Sequence, residues 1–393
     1  MPEARFHPMT SLAMRTALAN GRLLTAGGPV SGQTLLLCGG RIEALVDPED
    51  SRCRGAVTVD LGGQLLLPGF IDVQVNGGGG VLFNDDPSPE SIRAIGAAHR
   101  RFGTTGFLPT LISDDLDTIG RAIDAVQSSL DAGMPGVLGI HIEGPFLNRA
   151  RRGVHDSKHL RPLDTRCVSL LSRLRGGRTV LTLAPEMTTP QIIGKLAAGG
   201  VLVSAGHSEA SFAETTAAIA QGLRGFTHLF NAMARIEPRA PGIVGAALYD
   251  EKTWCGIIVD GHHVDPIMLK LALRCKRQDR FMLVSDAMPV VGSTRSTFVL
   301  QGRTIRVVDG ICRDENGTLA GTALDMAAAV RNAVSLLGLD IADAARMAGQ
   351  NPAEFLGLGH ELGRIAPGYR ANLVLMNDEL EVQRTWIEGV ASA

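Results

Sequence analysis

The feature that most constrains this chain is an alternation running through its middle, in which short, nearly uninterrupted apolar runs are followed by longer stretches with apolar residues at helical spacing. The runs at 65–75, 106–111, 137–142, 180–185, 201–205, 225–227, 253–259 and 281–284 read as strands buried on both faces, since a strand with one wet face would alternate polar and apolar residues. The text between them, at 89–101, 116–132, 164–174, 189–198, 211–221, 244–248 and 266–276, and then at 324–337, reads as helix. Eight such units close on themselves, so the expected fold class is α/β, a (β/α)8 TIM-like barrel.

The ends of the chain read differently. From about residue 17 to 67 there are short strand-like runs broken by Gly-Gly and Pro-Glu-Asp, and a similar pattern returns only at 363–376. Both ends are therefore expected to build one small β-sandwich domain, 1–67 with 363–393, around a barrel at 68–362. A chain of 393 residues accommodates this, because single cores stop growing beyond roughly 250–300 residues. Within the barrel an insertion at 290–318 reads as a β-hairpin, and 341–356 reads as helix with Pro352 in a first turn.

Barrel enzymes carry their chemistry where the strands end, so those positions decide the function. The third strand delivers Glu143 just where Gly144-Pro145 ends it, and the fifth and sixth runs finish in His207 and His228. One carboxylate and two imidazoles form the ligand set of an open catalytic metal site with a position left for water. The eighth strand ends in Ser285-Asp286, where a carboxylate beside a bound water can move its proton; the competing reading is a rim Asp capping a loop. In Asp260-Gly261-His262-His263 only one histidine can face the site, because side chains alternate. His155 follows the Glu143 strand on a loop able to reach back over the metal, with a solvated loop His as the alternative. Gln74 and Asn76 lie at i, i+2 on the first strand, where two histidines would chelate, but amides are weak ligands for zinc-like ions. The glycine run after Asn76 lacks G-K-[ST], so it is a tight turn and no nucleotide loop.

Composition removes other classes. A net charge of −2 and 4% aromatic residues give no electrostatic footprint or stacking platform for nucleic acid. No apolar run reaches the roughly 18 residues of a membrane span, and Arg15, Asn20 and Arg22 interrupt the apolar residues at 12–24, so no secretory core forms. Six scattered cysteines without a C-x-x-C pair suit reduced thiols, and the expected compartment is cytoplasmic.

The motifs Pro68-Gly69-Phe70-Ile71-Asp72, His141-Ile142-Glu143-Gly144-Pro145-Phe146, Ala205-Gly206-His207-Ser208, Thr227-His228-Leu229-Phe230-Asn231-Ala232-Met233 and Val284-Ser285-Asp286-Ala287 resemble the amidohydrolase superfamily. More narrowly they resemble its N-acetylglucosamine-6-phosphate deacetylase family, over essentially the whole chain. The resemblance implies a hydrolase that removes acetate from a small phosphorylated amino sugar. It implies that Glu143, His207 and His228 hold the metal, that Asp286 is the acid and base, and that His155 polarises the acetamide carbonyl. Substrate contacts would fall to Val154, His155, Asn231, Ala232, Arg239, His263, Leu319, Ala320 and Gly321. Arg239 would reach the phosphate from a neighbouring subunit, making a homodimer the functional unit. Many superfamily members have His-x-His where Gln74 and Asn76 stand, so these are vacant second-metal positions. One divalent ion per subunit is expected, zinc first, with iron(II) or another first-row ion as alternatives.

Two rival readings are weighed against this one. A dihydroorotase-like enzyme acting on a cyclic amide would have a carboxylated lysine bridging two metals where this chain has Glu143. A catalytically dead scaffold would have no reason to retain Glu143, His207, His228 and Asp286 together.

Overall fold

The computed structural model describes residues 15–392; residues 1–14, where the expected β domain and the segment read as lacking a secretory core begin, and Ala393 lie outside them. Parallel pairing organises the middle of the chain. Strands β1 (Phe70–Val75), β2 (Thr104–Ile112), β3 (Gly139–Glu143), β4 (Arg178–Leu183), β5 (Val201–Ala205), β6 (Gly225–Phe226), β7 (Trp254–Ile257) and β8 (Phe281–Leu283) form one sheet, each bonded to the next in sequence. Every residue of β1, β2 and β3 is buried, which is why these strands read as continuous apolar runs. The sheet's two edges meet beyond its strand ends, where Asp286 N–H donates to Gln74 O at 3.0 Å and Asn76 N–H to Ala287 O at 2.9 Å. Asp72 strengthens that seam, its Oδ1 accepting from the N–H groups of Gln74 at 3.1 Å and Ser285 at 3.3 Å. Burial pushes its carboxyl up to about 7.

Helices cover the outside and begin where their sequence caps them. Asp115 caps Leu116–Asp131 by accepting from Thr118 N–H, and Ser211 with Glu214 forms a reciprocal capping box on Phe212–Ala220. Helix Leu116–Asp131 buries Ile119, Ala122, Ile123 and Val126, the three- and four-residue spacing of one face. Each large apolar side chain so buried stabilises the layer by about 1.5–3 kcal/mol.

Two helical expectations need correction. Residues 164–174 form only a 3-10 turn, Thr165–Cys167, and one helical turn, Val168–Leu171, after which Gly176 takes a left-handed conformation (φ 73°) and the chain turns into β4. Residues 341–356 split at Gly349 into Ile341–Ala348 and Gln350–Phe355; Pro352 has no N–H to continue the first helix and sits in the first turn of the second. The insertion is also larger than a hairpin: Thr297–Leu300 and Arg303–Val308 are joined by Ile311–Arg313 and Leu319–Thr322 into a four-stranded antiparallel sheet over the strand ends.

Both ends of the chain build a β-sandwich. One sheet orders Arg41–Val46, Thr34–Cys38, Thr16–Ala19 and Val57–Asp60. The other orders Val390–Ala391, Val382–Ile387, Leu373–Met376, Leu65–Pro68, Arg22–Thr25 and Gly28–Val30. Their shared core takes Leu18, Leu35, Ile42 and Leu66 from the first pass of the chain and Ile365, Leu373 and Trp386 from the last.

The register of the barrel depends on one glycine at the head of the Glu143 strand. Gly139 has φ 151°, and a Cβ there would lie 1.9 Å from Arg178 O on β4. Gly139→Ala is expected to force β3 from β4 and to lower unfolding free energy by about 2–4 kcal/mol, read as a shifted urea midpoint; an unshifted midpoint would show that the register tolerates the methyl group.

Candidate metal centre and active site

At the closed end of the barrel three strands deliver side chains to one point. Glu143 is the last residue of β3, and His207 and His228 each stand two residues beyond the ends of β5 and β6. Glu143 Oε1 lies 2.9 Å from His228 Nε2 and 3.2 Å from His207 Nε2, and the two imidazole nitrogens are 3.1 Å apart. Among the described residues these three form the group able to hold a metal ion, and all are buried. His207, His228 and Asp286 have φ of 50°, 33° and 50°. Such left-handed backbone is uncommon outside glycine, and here it swings each side chain inward as the chain leaves its strand.

The donor chemistry fits a cation. Ligands about 2.0–2.1 Å from a tetrahedral zinc-like ion stand about 3.3 Å apart, close to the observed spacings. His207 Nδ1 is 2.8 Å from Arg151 O, so Nδ1 carries the proton and Nε2 presents its lone pair inward. Burial works against a charged Glu143, but the imidazoles of His207 and His228 that flank it, with His228 donating to Oε1, hold its carboxyl well below the ordinary range. Burial alone would also push His228 down; the hydrogen bond and charge of Glu143 outweigh it and hold His228 above the ordinary imidazole value.

Asp286 faces this cluster across two amides. Asn76 Nδ2 donates to Asp286 Oδ1 at 2.7 Å, while Gln74 Nε2 donates to the same oxygen at 3.2 Å and to both Glu143 oxygens at 3.3 and 3.2 Å. The amide orientations follow from their all-acceptor surroundings. Burial, then the charge of Glu143, pushes Asp286 up to about 6.

His155 closes the opposite wall, its ring centroid 4.6 Å from that of His207. Ser113 N–H donates to His155 Nδ1 at 3.3 Å and Ser113 Oγ lies 2.7 Å from it, so Nδ1 is the acceptor and Nε2 carries the hydrogen. Burial, then the charge of His207, pushes His155 down to about 3, which keeps it a neutral donor. Gly144, at φ 89°, permits this packing: a Cβ there would lie 2.3 Å from Ser113 Oγ.

A cavity of about 340 Å³ opens above the cluster, lined by Val154, His155, Asn231, Ala232, His263, Leu319 and Gly321, with Asn76, Glu143, His207, His228 and Asp286 at its floor. His263 faces it, its Nδ1 2.5 Å from Asp260 Oδ2, while His262 is exposed. Burial opposes a charged Asp260, yet the hydrogen bond and charge of His263 hold it down at about 2. Two expected contact residues stand apart. Ala320 is fully buried behind the lining among Val154, Met288 and Phe298, because its neighbours on the strand face the cavity. Arg239 is exposed on a turn where Glu237 and Ala240 exchange backbone hydrogen bonds of 3.1 Å, outside the cavity of its own chain.

Ser113, Asp260 and the Arg151 carbonyl complete the site without having been singled out in the sequence. Reading β2 to its end at Ile112 would have drawn attention to Ser113, but no local pattern marks a backbone carbonyl as a histidine's partner. A larger cavity, about 520 Å³, lies at the other end of the barrel between the β-sandwich and residues 342–364. Its charges are paired, Arg364 with Glu354 at 3.0 Å, Arg346 with Asp343 at 3.5 Å and Asp279 with Arg277 at 2.6 Å, and it sits away from the strand C-termini, so the smaller cavity is the candidate.

The chain is similar to known proteins over most of its length. Residues 65–391 match the model of the Amidohydrolase family. The chain is 46% identical over 326 residues to N-acetylgalactosamine-6-phosphate deacetylase of Shewanella sp. (strain ANA-3), covering 82% of each chain. It is 33% identical over 379 residues to N-acetylglucosamine-6-phosphate deacetylase of Haemophilus influenzae, covering 96% of this chain and 99% of that one. The crystal structure of N-acetylglucosamine-6-phosphate deacetylase from Pasteurella multocida superposes with a TM-score of 0.93 at 36% identity, over 97% of this chain and 100% of that chain.

The ion pair of Glu143 with His228 sets how a cation enters. Below its raised pKa, His228 holds a proton that a metal ion must displace; above it, none. Calorimetric titration with zinc in buffers of different ionisation enthalpy is expected to show net proton release near pH 6, where His228 is protonated. No proton release near pH 6 would contradict the assignment.

Proposed function

The chain belongs to the amidohydrolase family, and from that membership we propose that it hydrolyses the acetamide of N-acetylhexosamine 6-phosphates, releasing acetate and the amino-sugar phosphate. The observation that carries this reading is the joint placement of a three-ligand cluster, a buried carboxylate and a neutral imidazole donor around one cavity. Glu143, His207 and His228 would hold one divalent ion per subunit, zinc in the first instance. When bound, such an ion lowers the pKa of water from 15.7 toward about 7 and polarises a carbonyl oxygen.

The chain's own groups do the rest. Asp286, as the carboxylate, accepts the proton of the attacking water. His155 donates its Nε2–H to the carbonyl oxygen as negative charge develops there, a contact of a kind worth about 3 kcal/mol. Asp286 then hands its proton to the departing nitrogen, so the amine leaves neutral. Gln74 and Asn76 keep Asp286 aimed at the reacting centre. They fill the positions of a second cation with N–H donors, which supports the single-ion reading. Asn231, the Ala232 backbone, His263 and the 319–321 segment would receive the sugar phosphate. Arg239 would come from a second copy; its exposure outside its own cavity is compatible with that role, and its planar fork suits phosphate. The same reading assigns 1–67 with 363–393 to the β domain and 68–362 to the catalytic barrel. It also takes the protein to work in the cytoplasm, where the free thiols Cys53, Cys167, Cys255, Cys275 and Cys312 would stay reduced.

The gluco and galacto epimers are both candidate substrates, because the 46% identical relative is named for galactosamine and the Haemophilus enzyme for glucosamine. Acetate release from both 6-phosphates and from the unphosphorylated sugars tests the reading. Either phosphate is expected to be turned over at least about tenfold more efficiently than its unphosphorylated sugar, the worth of roughly 1.4 kcal/mol of phosphate binding. Equal efficiency would remove the phosphate from the proposal.

Asp286→Asn is expected to lower kcat by at least about 10³-fold with the metal retained, since an amide can neither take nor return the proton. Near-normal turnover would remove Asp286 from this role. In the native enzyme kcat/KM should fall as pH drops through about 6 or below, because protonation removes the base and a bound cation shifts that pKa further down.

A further inference from the structure

The hairpin of the inserted sheet turns at Leu300-Gln301-Gly302-Arg303, with Leu300 paired to Arg303. Gln301 and Gly302 both have left-handed backbone, φ 47° and 81°, the geometry of a two-residue hairpin turn that favours Asn-Gly or Asp-Gly. Glutamine in the first of these positions is the less comfortable choice, so its longer side chain deserves a reason. That side chain reaches across to the active-site wall. Its Oε1 accepts from Asp156 N–H at 2.6 Å, and its Nε2 donates to Ser113 O at 2.6 Å. Asp156 is the chain neighbour of His155, and Ser113 supplies the N–H and hydroxyl that face His155 Nδ1. One amide thus ties together the two residues that flank the histidine, from a segment 145 residues away from one and 188 from the other.

We propose that Gln301 is a positioning residue for His155: it clamps Asp156 and Ser113 so that the imidazole stays in the single tautomer that presents Nε2–H to the cavity. The consequence for catalysis rests on the deacetylase reading above; the consequence for the imidazole does not. The inserted sheet then does more than cover the strand ends, because its tip is part of the apparatus that orients the oxyanion donor.

Gln301→Asn separates this role from that of a simple turn. Asparagine suits the left-handed position better but is one methylene shorter, so the hairpin should keep or gain stability while the bridge is lost. The melting temperature of the metal-loaded protein is expected to stay level or rise. The kcat for the N-acetylhexosamine 6-phosphate should drop about tenfold or more with KM changed less than about threefold, as for a group that acts in the transition state. In a His155→Ala background the same substitution should have little further effect, within about twofold, because its route to the chemistry is gone. Nitrogen-15 shifts of the His155 ring, read without substrate, should move from one tautomer toward a mixture. Unchanged kcat with an unchanged His155 tautomer, or an equal fractional loss with and without His155, would overturn the proposal. Failure of the wild-type protein to release acetate would count against the deacetylase reading alone, with the ring spectrum still deciding the clamp.

Discussion

A carboxylate and two imidazole nitrogens are held within 2.9–3.2 Å of one another at buried positions, and the rest of the structure depends on that crowding. Burying Glu143 is unfavourable, and breaking a buried ion pair typically costs about 3–5 kcal/mol, so the arrangement persists only because several strands converge on it. Convergence is what a closed parallel barrel provides. The seam between β1 and β8 brings Asp286 beside residues more than 200 positions earlier, with separations of 210 and 212 to Asn76 and Gln74. The seam and the site are therefore one construction. Asp72, at the seam, is fully buried and bonded to Ser285 N–H, so the motif that closes the barrel also holds the strand end that carries Asp286, the proposed acid and base.

The two amides on β1 give the site its character. Histidines there would bring a second cation, with its charge, against Glu143 and Asp286. Gln74 and Asn76 instead supply four N–H contacts to Asp286 and Glu143 from neutral groups, leaving Asp286 with a carboxyl near 6. A carboxylate tuned to that range can both take and return a proton at neutral pH. On the facing wall, His155 is driven the other way and stays neutral, and its proton is fixed on the nitrogen that faces substrate. The two sides of the cavity thus hold a base and a donor whose environments push them apart.

Much of the barrel, and the meeting of Glu143, His207 and His228 at its strand ends, was legible from residues alone, because fully buried strands leave continuous apolar runs and each of the three stands at or just past such a run. Side-chain alternation left open which of His262 and His263 faces the cavity, and the family resemblance pointed to His263. The misread stretches have physical causes. Residues 164–174 carry helical spacing but make only one turn before the chain re-enters the sheet, and Leu319–Thr322 pairs as a strand despite the weak strand propensity of Ala320 and Gly321. What local pattern could not reveal were partners defined only in three dimensions: Ser113 against His155, 42 residues apart, and Gln301 against Ser113, 188 apart. Arg239 was expected to act across subunits, and its place outside its own cavity is a property of one chain, silent on the second.

The central claim is that Glu143, His207 and His228 gather around one cation. Anomalous diffraction at the zinc edge from crystals of the zinc-loaded protein tests it directly. The account predicts one strong peak per subunit, bounded by Glu143, His207 and His228, with no second peak beside Gln74 and Asn76. Two peaks of comparable strength in that pocket, or a single peak bound elsewhere with the two imidazoles apart, would contradict it.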